Sequence, residues 1–309
     1  MGYDEILSLA IKRCSNDYIQ EWNHFYNIYP FTTENISGYI DNFNLNGNSL
    51  LTVGSSGDQI FNAVLMGIND VAQVDINPFA KYYYYLKMAC IIELNMDEFL
   101  LFLRYKNYPK AFKDNVLVFN EYIFIKIRDT LKCINYDSFM FWDNLFQLYP
   151  RDIVRDHLFS IDEREDKFIK SCNLYLSDDK VYNKLRNRVK NIEPTFINGD
   201  IFEADIDKKF DNIWLSNIAT YWLSYEQIQG LFLKYSNYLN MDGTLLLSYL
   251  YDTTINSKYN DNWEAIYNIK KILDMFKEYN LDIKSFKGIY DIIHDINRIK
   301  DSVLIYKKR

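Results

Sequence analysis

The sequence predicts an α/β fold built on a Rossmann-like sheet, and three observations predict it. The apolar run Leu50-Leu51-Thr52-Val53 ends in a turn of small residues, Gly54-Ser55-Ser56-Gly57-Asp58, which is how a buried strand delivers the chain to a helix start. A second apolar run, Val71 to Val74, ends on Asp75, at the distance where such sheets place an acidic residue after the turn. From Pro194 onward, strand-like and helix-like segments alternate again to the end of the chain.

Each element has its own reason. Ile6, Leu9, Ala10, Tyr18, Ile19, Trp22 and Phe25 recur at helical spacing and predict a helix over residues 3 to 29. Tyr29-Pro30-Phe31 breaks it. Thr32-Thr33-Glu34-Asn35 then offers a hydroxyl cap and an acid in the first turn of a second helix, carrying Ile36, Tyr39, Ile40 and Phe43. After the first strand, a helix is expected from Gln59 to Gly67, a strand from Val71 to Val74, and a helix from Phe79 to Leu94. The last contains Tyr82-Tyr83-Tyr84-Tyr85, which is read as a wide aromatic core face. Residues 97 to 191 show no alternation and read as helices, Asp97 to Tyr105, Tyr122 to Leu148, Asp162 to Tyr175 and Asp178 to Asn191. Strands follow at Asn212 to Leu215, Thr244 to Leu250, Asp282 to Phe286 and Ser302 to Tyr306, with helices at Tyr225 to Leu239 and Asp261 to Tyr279. The expected organisation is an N-terminal helical cover (1–48), a nucleotide-binding sheet domain (49–96 and 192–309) and a helical insertion (97–191).

Composition narrows the function. The 309 residues carry a net charge of -7, so nucleic acid, which demands a basic footprint, is not expected as a partner. Cys14, Cys90, Cys133 and Cys172 are too scattered for a zinc site or a disulfide framework, and His24, His157 and His294 show no ligand spacing. No metal is expected, and a reduced, cytoplasmic setting fits. Met1-Gly2-Tyr3-Asp4-Glu5 lacks a signal-peptide pattern, and no run of eighteen apolar residues occurs. Peripheral contact with a membrane surface stays open, as does the oligomeric state.

The turn after the first strand points to an adenosine-bearing cofactor. Gly54 and Gly57 let backbone approach a ligand, and Asp75 can reach two ribose hydroxyls. The dinucleotide pattern of three glycines is incomplete, and Asp58 would repel a pyrophosphate. S-adenosylmethionine (SAM) has no phosphate and carries a cationic sulfonium and ammonium, so a carboxylate at Asp58 suits it. Asp58 can equally be a cap for the helix that follows. An NAD-dependent oxidoreductase and a non-catalytic SAM-binding protein are the rival readings.

Taken in order, Leu51-Thr52-Val53-Gly54-Ser55-Ser56-Gly57-Asp58, Val74-Asp75-Ile76-Asn77-Pro78, Asn198-Gly199-Asp200-Ile201-Phe202 and Phe210-Asp211-Asn212-Ile213-Trp214-Leu215-Ser216-Asn217-Ile218 resemble SAM-dependent transferases of the class I methyltransferase fold. The set is most similar to the betaine-lipid BtaA family, which transfers a 3-amino-3-carboxypropyl group from SAM to diacylglycerol. The resemblance implies a seven-stranded sheet whose last strand is antiparallel. It also implies cofactor contacts from Gly54, Ser55, Ser56, Gly57, Asp58, Asp75, Ile76, Asn77, Asp200, Ile201 and Ser216, with Asp200 at the adenine amino group and Ile201 on the ring. Catalytic candidates are Ser216 and Asn217 at a strand end, Tyr221 as an acceptor wall or core aromatic, and His294 as a general base or an ordinary loop histidine. Amine methyltransferases often read Asn-Pro-Pro-Tyr where this chain has Ser216-Asn217-Ile218. The likeness to the BtaA family, together with the missing prolines, favours aminocarboxypropyl transfer to a small or lipid-like acceptor, with methyl transfer as the alternative.

Overall fold

The computed structural model describes residues 1–15, 24–42, 47–54, 56–104, 119–160, 164, 166–218, 224–248, 269–279, 281–287 and 300–309. Among these, seven strands form one sheet: β1 (Ser49–Val53), β2 (Asp70–Asp75), β3 (Thr195–Asn198), β4 (Phe210–Trp214), β5 (Leu239–Leu247), β6 (Leu281–Lys287) and β7 (Lys300–Lys307). Their order is β3-β2-β1-β4-β5-β7-β6. The first five are parallel, and β7 runs antiparallel to both β5 and β6. This is the class I methyltransferase arrangement. It differs from a dinucleotide-binding sheet in the antiparallel strand set between the fifth and sixth.

The centre of the sheet is buried on both faces, so β1 and β2 read as continuous apolar runs instead of alternating. At the lower edge the Asp211 carboxylate gathers the strands. It accepts from Asn48 N, Ser49 N and Ser49 Oγ, and from Asn240 Nδ2, at 2.8 to 3.1 Å.

Eleven α-helices lie among the described residues. They are α1 (Tyr3–Cys14), α2 (Asp58–Met66), α3 (Ala80–Glu93), α4 (Met96–Leu103), α5 (Glu121–Ile134), α6 (Tyr136–Leu148), α7 (Arg151–Leu158), α8 (Asp166–Cys172), α9 (Asp179–Val189), α10 (Tyr225–Asn237) and α11 (Ile269–Met275). The tyrosine run lies in α3, where all four rings are at most 6% exposed. Four consecutive residues point in four directions around a helix, so all can be buried only if the helix is surrounded. Tyr82 stacks on Phe141 of α6 at 4.4 Å, while Tyr84 and Tyr85 meet Phe196 of β3. One apolar cluster runs through α1, α3, α5, α6 and α9 to Leu50, Val71 and Trp214 of the sheet.

Several expected boundaries move. Of the predicted helix over 3 to 29, the described residues show α1 and a 3-10 turn at His24–Tyr26, and residues 16–23 lie outside the described residues. Arg13 holds that second piece, donating to Tyr26 O at 2.7 Å and Asn27 Oδ1 at 2.6 Å. The helix expected to open at Thr32 is two 3-10 turns, Ile36–Gly38 and Ile40–Asn42, with Asn35 as the cap that accepts from Gly38 N. Asn135 splits the predicted helix over 122 to 148 by closing α5 and capping α6 through Ser138 N. α7 was not expected.

A buried ion pair ties these parts together. The Lys87 ammonium has three protons and three acceptors: Asp58 Oδ1 at 2.5 Å, Pro30 O at 2.8 Å and Ser56 O at 3.1 Å. Asp58 also accepts from Tyr175 Oη and Thr32 N, both at 2.6 Å. Both side chains are wholly inaccessible. Removing one partner leaves a charge stranded in the interior, so Lys87→Met should lower unfolding free energy by about 3–5 kcal/mol. Urea denaturation checks this, and a loss below about 1 kcal/mol would show that the pair behaves like a surface bridge.

Candidate functional site

The carboxyl ends of β1, β2, β3 and β4 open onto one cleft, lined by Phe25, Tyr29, Val53, Val74, Asp75, Ile76, Gly199, Asp200, Ile201, Phe202, Ser216, Asn217 and Ile218. Its place follows from topology. β1 lies between β2 and β4, where the strand order reverses, and open α/β sheets bind ligands outside the strand ends at that point.

Asp75 ends β2 and is 9% exposed. Its Oδ1 accepts from Asn77 N at 2.8 Å, whereas Oδ2 is buried with no hydrogen-bond partner. A buried unpaired carboxylate oxygen is costly. Asp75 lines the cleft, and its carboxylate suits a pair of ligand hydroxyls. Burial pushes the Asp75 carboxyl up to about 7, partly opposed by the Asn77 N–H.

The neighbouring strand end is clamped to it. Gly199 N and Asn198 Nδ2 both donate to Asp75 O at 3.0 Å. Asp200 Oδ1 accepts from Phe202 N at 2.8 Å, forming the turn that sets Ile201 and Phe202 on the cleft wall. Ile76, Ile201 and Phe202 give that end apolar sides suited to a flat ring.

The opposite end is polar. Ser216 follows β4 with φ 57, a left-handed backbone uncommon for any residue but glycine, of the kind found at functional sites. Its Oγ donates to Glu34 Oε1 and accepts from Gln59 Nε2 at 3.1 Å. Neither Glu34 nor Gln59 was a candidate in the sequence, where Glu34 has the look of a first-turn acid.

The expected residues divide accordingly. Asp75, Ile76, Asp200, Ile201, Ser216 and Asn217 share the cleft. Asn77 instead uses its side chain on Phe79 N and Asn27 O, fixing the start of α3 and the N-terminal segment. Gly54 packs under Gln73, whose Oε1 lies 3.0 Å from where a Cβ would stand. Gly57 has φ +74 and is enclosed by Phe61 and Tyr84, so it serves the turn and its packing. Ser56 Oγ accepts from Asp58 N.

Asp58 requires a correction. The sequence offers it as a carboxylate for a cationic ligand or as a cap for a helix beginning at Gln59. The structure places it at the first position of α2, after the N-cap Gly57, with its charge taken up by Lys87. Ser55, Tyr221 and His294 lie outside the described residues. Phe25, Tyr29 and Phe202 were missed as cleft residues. Phe25 carried only helix periodicity in the sequence, and Tyr29 marked a break.

No family model and no curated protein matches the chain. Among solved structures, a SAM-dependent methyltransferase from Methanosarcina mazei is 10% identical, with TM-score 0.44, covering 87% of this chain and 96% of its own. A SAM-dependent methyltransferase from Clostridium acetobutylicum is 8% identical, with TM-score 0.39, over 100% and 93%. The N-methyltransferase NodS from Bradyrhizobium japonicum is 13% identical, with TM-score 0.30, over 42% of this chain and 63% of that one. At such scores the fold rests on the strand order and polarity of this chain.

Among the described residues, no group of three or more His, Cys, Asp or Glu is placed to hold a metal ion, and no helix is long and apolar enough to cross a membrane.

Asp75 should make the ligand-free protein pH-sensitive. A carboxyl raised from 3.8 to about 7 on folding contributes stability that is full below its unfolded value and lost as pH rises through 7. The wild type should therefore lose melting temperature relative to Asp75→Asn between pH 5 and pH 8. Parallel profiles for the two proteins would show that Asp75 does not titrate there.

Proposed function

We propose that this chain is a SAM-dependent transferase acting on a small or lipid-like acceptor. The observation that carries the reading is Asp75 at the end of β2, its Oδ2 unpartnered, lining a cleft at the reversal point of a class I methyltransferase sheet. In this reading Asp75 accepts from both ribose hydroxyls. Ile76 and Ile201 flank the adenine, and Asp200 receives its amino group. The methionine end extends toward Val53 and Ser216.

SAM supplies a sulfonium whose three attached carbons are all open to nucleophilic attack. The protein's part is to hold the acceptor's nucleophile in line with one of them and to exclude water. Ser216 and Asn217 stand at the β4 end for that task, and Phe25, Tyr29 and Ile218 give the cleft an apolar wall. The sequence motifs favour the aminocarboxypropyl carbon over the methyl.

The helix start argues against a dinucleotide. Ser56, Asp58 and Gln59 are at most 4% exposed, and the turn ahead of α2 is covered by Thr32 and Pro30 through Asp58 and Lys87. A pyrophosphate needs that helix end open to it.

Calorimetry with SAM, S-adenosylhomocysteine and NADH tests the assignment. Both adenosyl ligands should bind and NADH should not. At pH 8, Asp75→Ala should weaken SAM by about 1.5–3 kcal/mol, the worth of a charged hydrogen-bond acceptor. Equal affinity in wild type and variant would remove Asp75 from the site. Product analysis with candidate acceptors then fixes the reaction. Enzyme-dependent methylthioadenosine, above the spontaneous background, is expected for aminocarboxypropyl transfer, and S-adenosylhomocysteine alone would mean methyl transfer.

A further inference from the structure

With Asp58 neutralised by Lys87, the cleft still has one buried carboxylate behind its polar end. Glu34 is 1% exposed and sits under Ser216. Its Oε1 accepts from Ser216 Oγ and from Gln59 Nε2 at 3.3 Å. Its Oε2 accepts from Tyr39 Oη and Ser248 Oγ, both at 2.5 Å. All four donors are neutral, and no Lys, Arg or His contacts Glu34 among the described residues.

Two of the four donors receive hydrogen bonds themselves. Trp214 Nε1 donates to Tyr39 Oη, which leaves the phenol proton for Glu34. Gln59 Nε2 donates to Ser216 Oγ, which leaves the hydroxyl proton for Glu34. Burial, and then the adjacent Glu34 carboxylate, hold the Tyr39 phenol well above its usual range, so it stays a donor. Glu34 accepts all four hydrogen bonds, the pattern of an acceptor-only carboxylate. Its charge is spread over dipoles without being cancelled by a cation, and in a poorly polarisable interior its field reaches the next cavity. The hydroxyl between Glu34 and the cleft belongs to Ser216, whose left-handed backbone is the strained point of the wall. Gln59 Oε1, buried and without a partner, adds a second acceptor beside it.

We infer that Glu34, acting through the wall formed by Ser216, supplies the negative potential that selects a cationic ligand centre at this end of the cleft. Resting on the SAM reading above, this assigns to Glu34 the recognition of the sulfonium charge. Glu34 is a positioning and selectivity residue, since Ser216 stands between it and the ligand.

SAM and S-adenosylhomocysteine differ at this centre by one positive charge, so the ratio of their affinities reads the local potential and cancels contacts common to both. Glu34→Gln keeps the shape and removes the charge. It should lower the SAM preference relative to S-adenosylhomocysteine about tenfold, or about 1.4 kcal/mol, while Glu34→Asp should retain most of it. Ser248→Ala removes one of the four donors to Glu34 but keeps the Ser248 N–H bond to Ser216 O, so the carboxylate is less well held beneath Ser216. It should lower the SAM preference about two- to threefold, and it carries the test alone if Glu34→Gln fails to fold. Both ligands binding with a ratio unchanged in every folded variant would overturn this inference and leave the cofactor reading standing. Failure of both ligands to bind the wild type would overturn the cofactor reading and this inference with it.

Discussion

The Lys87 ammonium is the fixed point of this structure. It is buried where no water can solvate it, so each of its protons has to find a protein acceptor, and the three it finds belong to different parts of the chain: Pro30, Ser56 and Asp58. It also lies over the Phe31 ring, 4.4 Å from its centre. Asp58 extends the knot to Thr32 and, through Tyr175, to the 3-10 turn Leu174–Leu176. A buried charge tolerates few arrangements, and this one fixes the N-terminal segment against the turn after β1.

The cleft depends on that constraint. Because residues 30 to 34 are pinned over the start of α2, Tyr29 reaches the cleft wall and Glu34 turns inward beneath Ser216. Asn77 completes the attachment by donating to Asn27 O. The two ends of the cleft then have distinct chemistry. One has an unpartnered Asp75 oxygen between apolar side chains. The other has hydroxyl and amide groups over a buried carboxylate, next to a residue in a strained backbone conformation.

Charge placement is the clearest case in which sequence and structure diverge. Asp58 and Glu34 are both acids near predicted helix starts. In the sequence Asp58 reads as the ligand's counter-ion or a helix cap, and Glu34 as a first-turn acid. The structure exchanges the parts, since Asp58 has a cation on it and Glu34 does not. The deciding residue, Lys87, lies in the tyrosine-rich helix α3, and its own helix gives no sign that it points at Asp58.

What the sequence determined by itself was local. The runs that became β1, β2 and β4, the acid that ends β2, the Asn198-Gly199-Asp200 turn and the buried aromatic helix were all legible, because strand burial, turn chemistry and helix periodicity are written within a few residues. The tertiary structure decided what depends on distant partners. α1 stops at Cys14 and the next segment is held by Arg13, while Asn135 divides one apolar pattern into two helices. Glu34 becomes a cleft residue only because Ser216 and Ser248, more than 180 positions away, end their strands beside it. Hydrogen bonds and ion pairs across such separations leave no periodicity in the chain, so they appear only when the sheet brings the strand ends together.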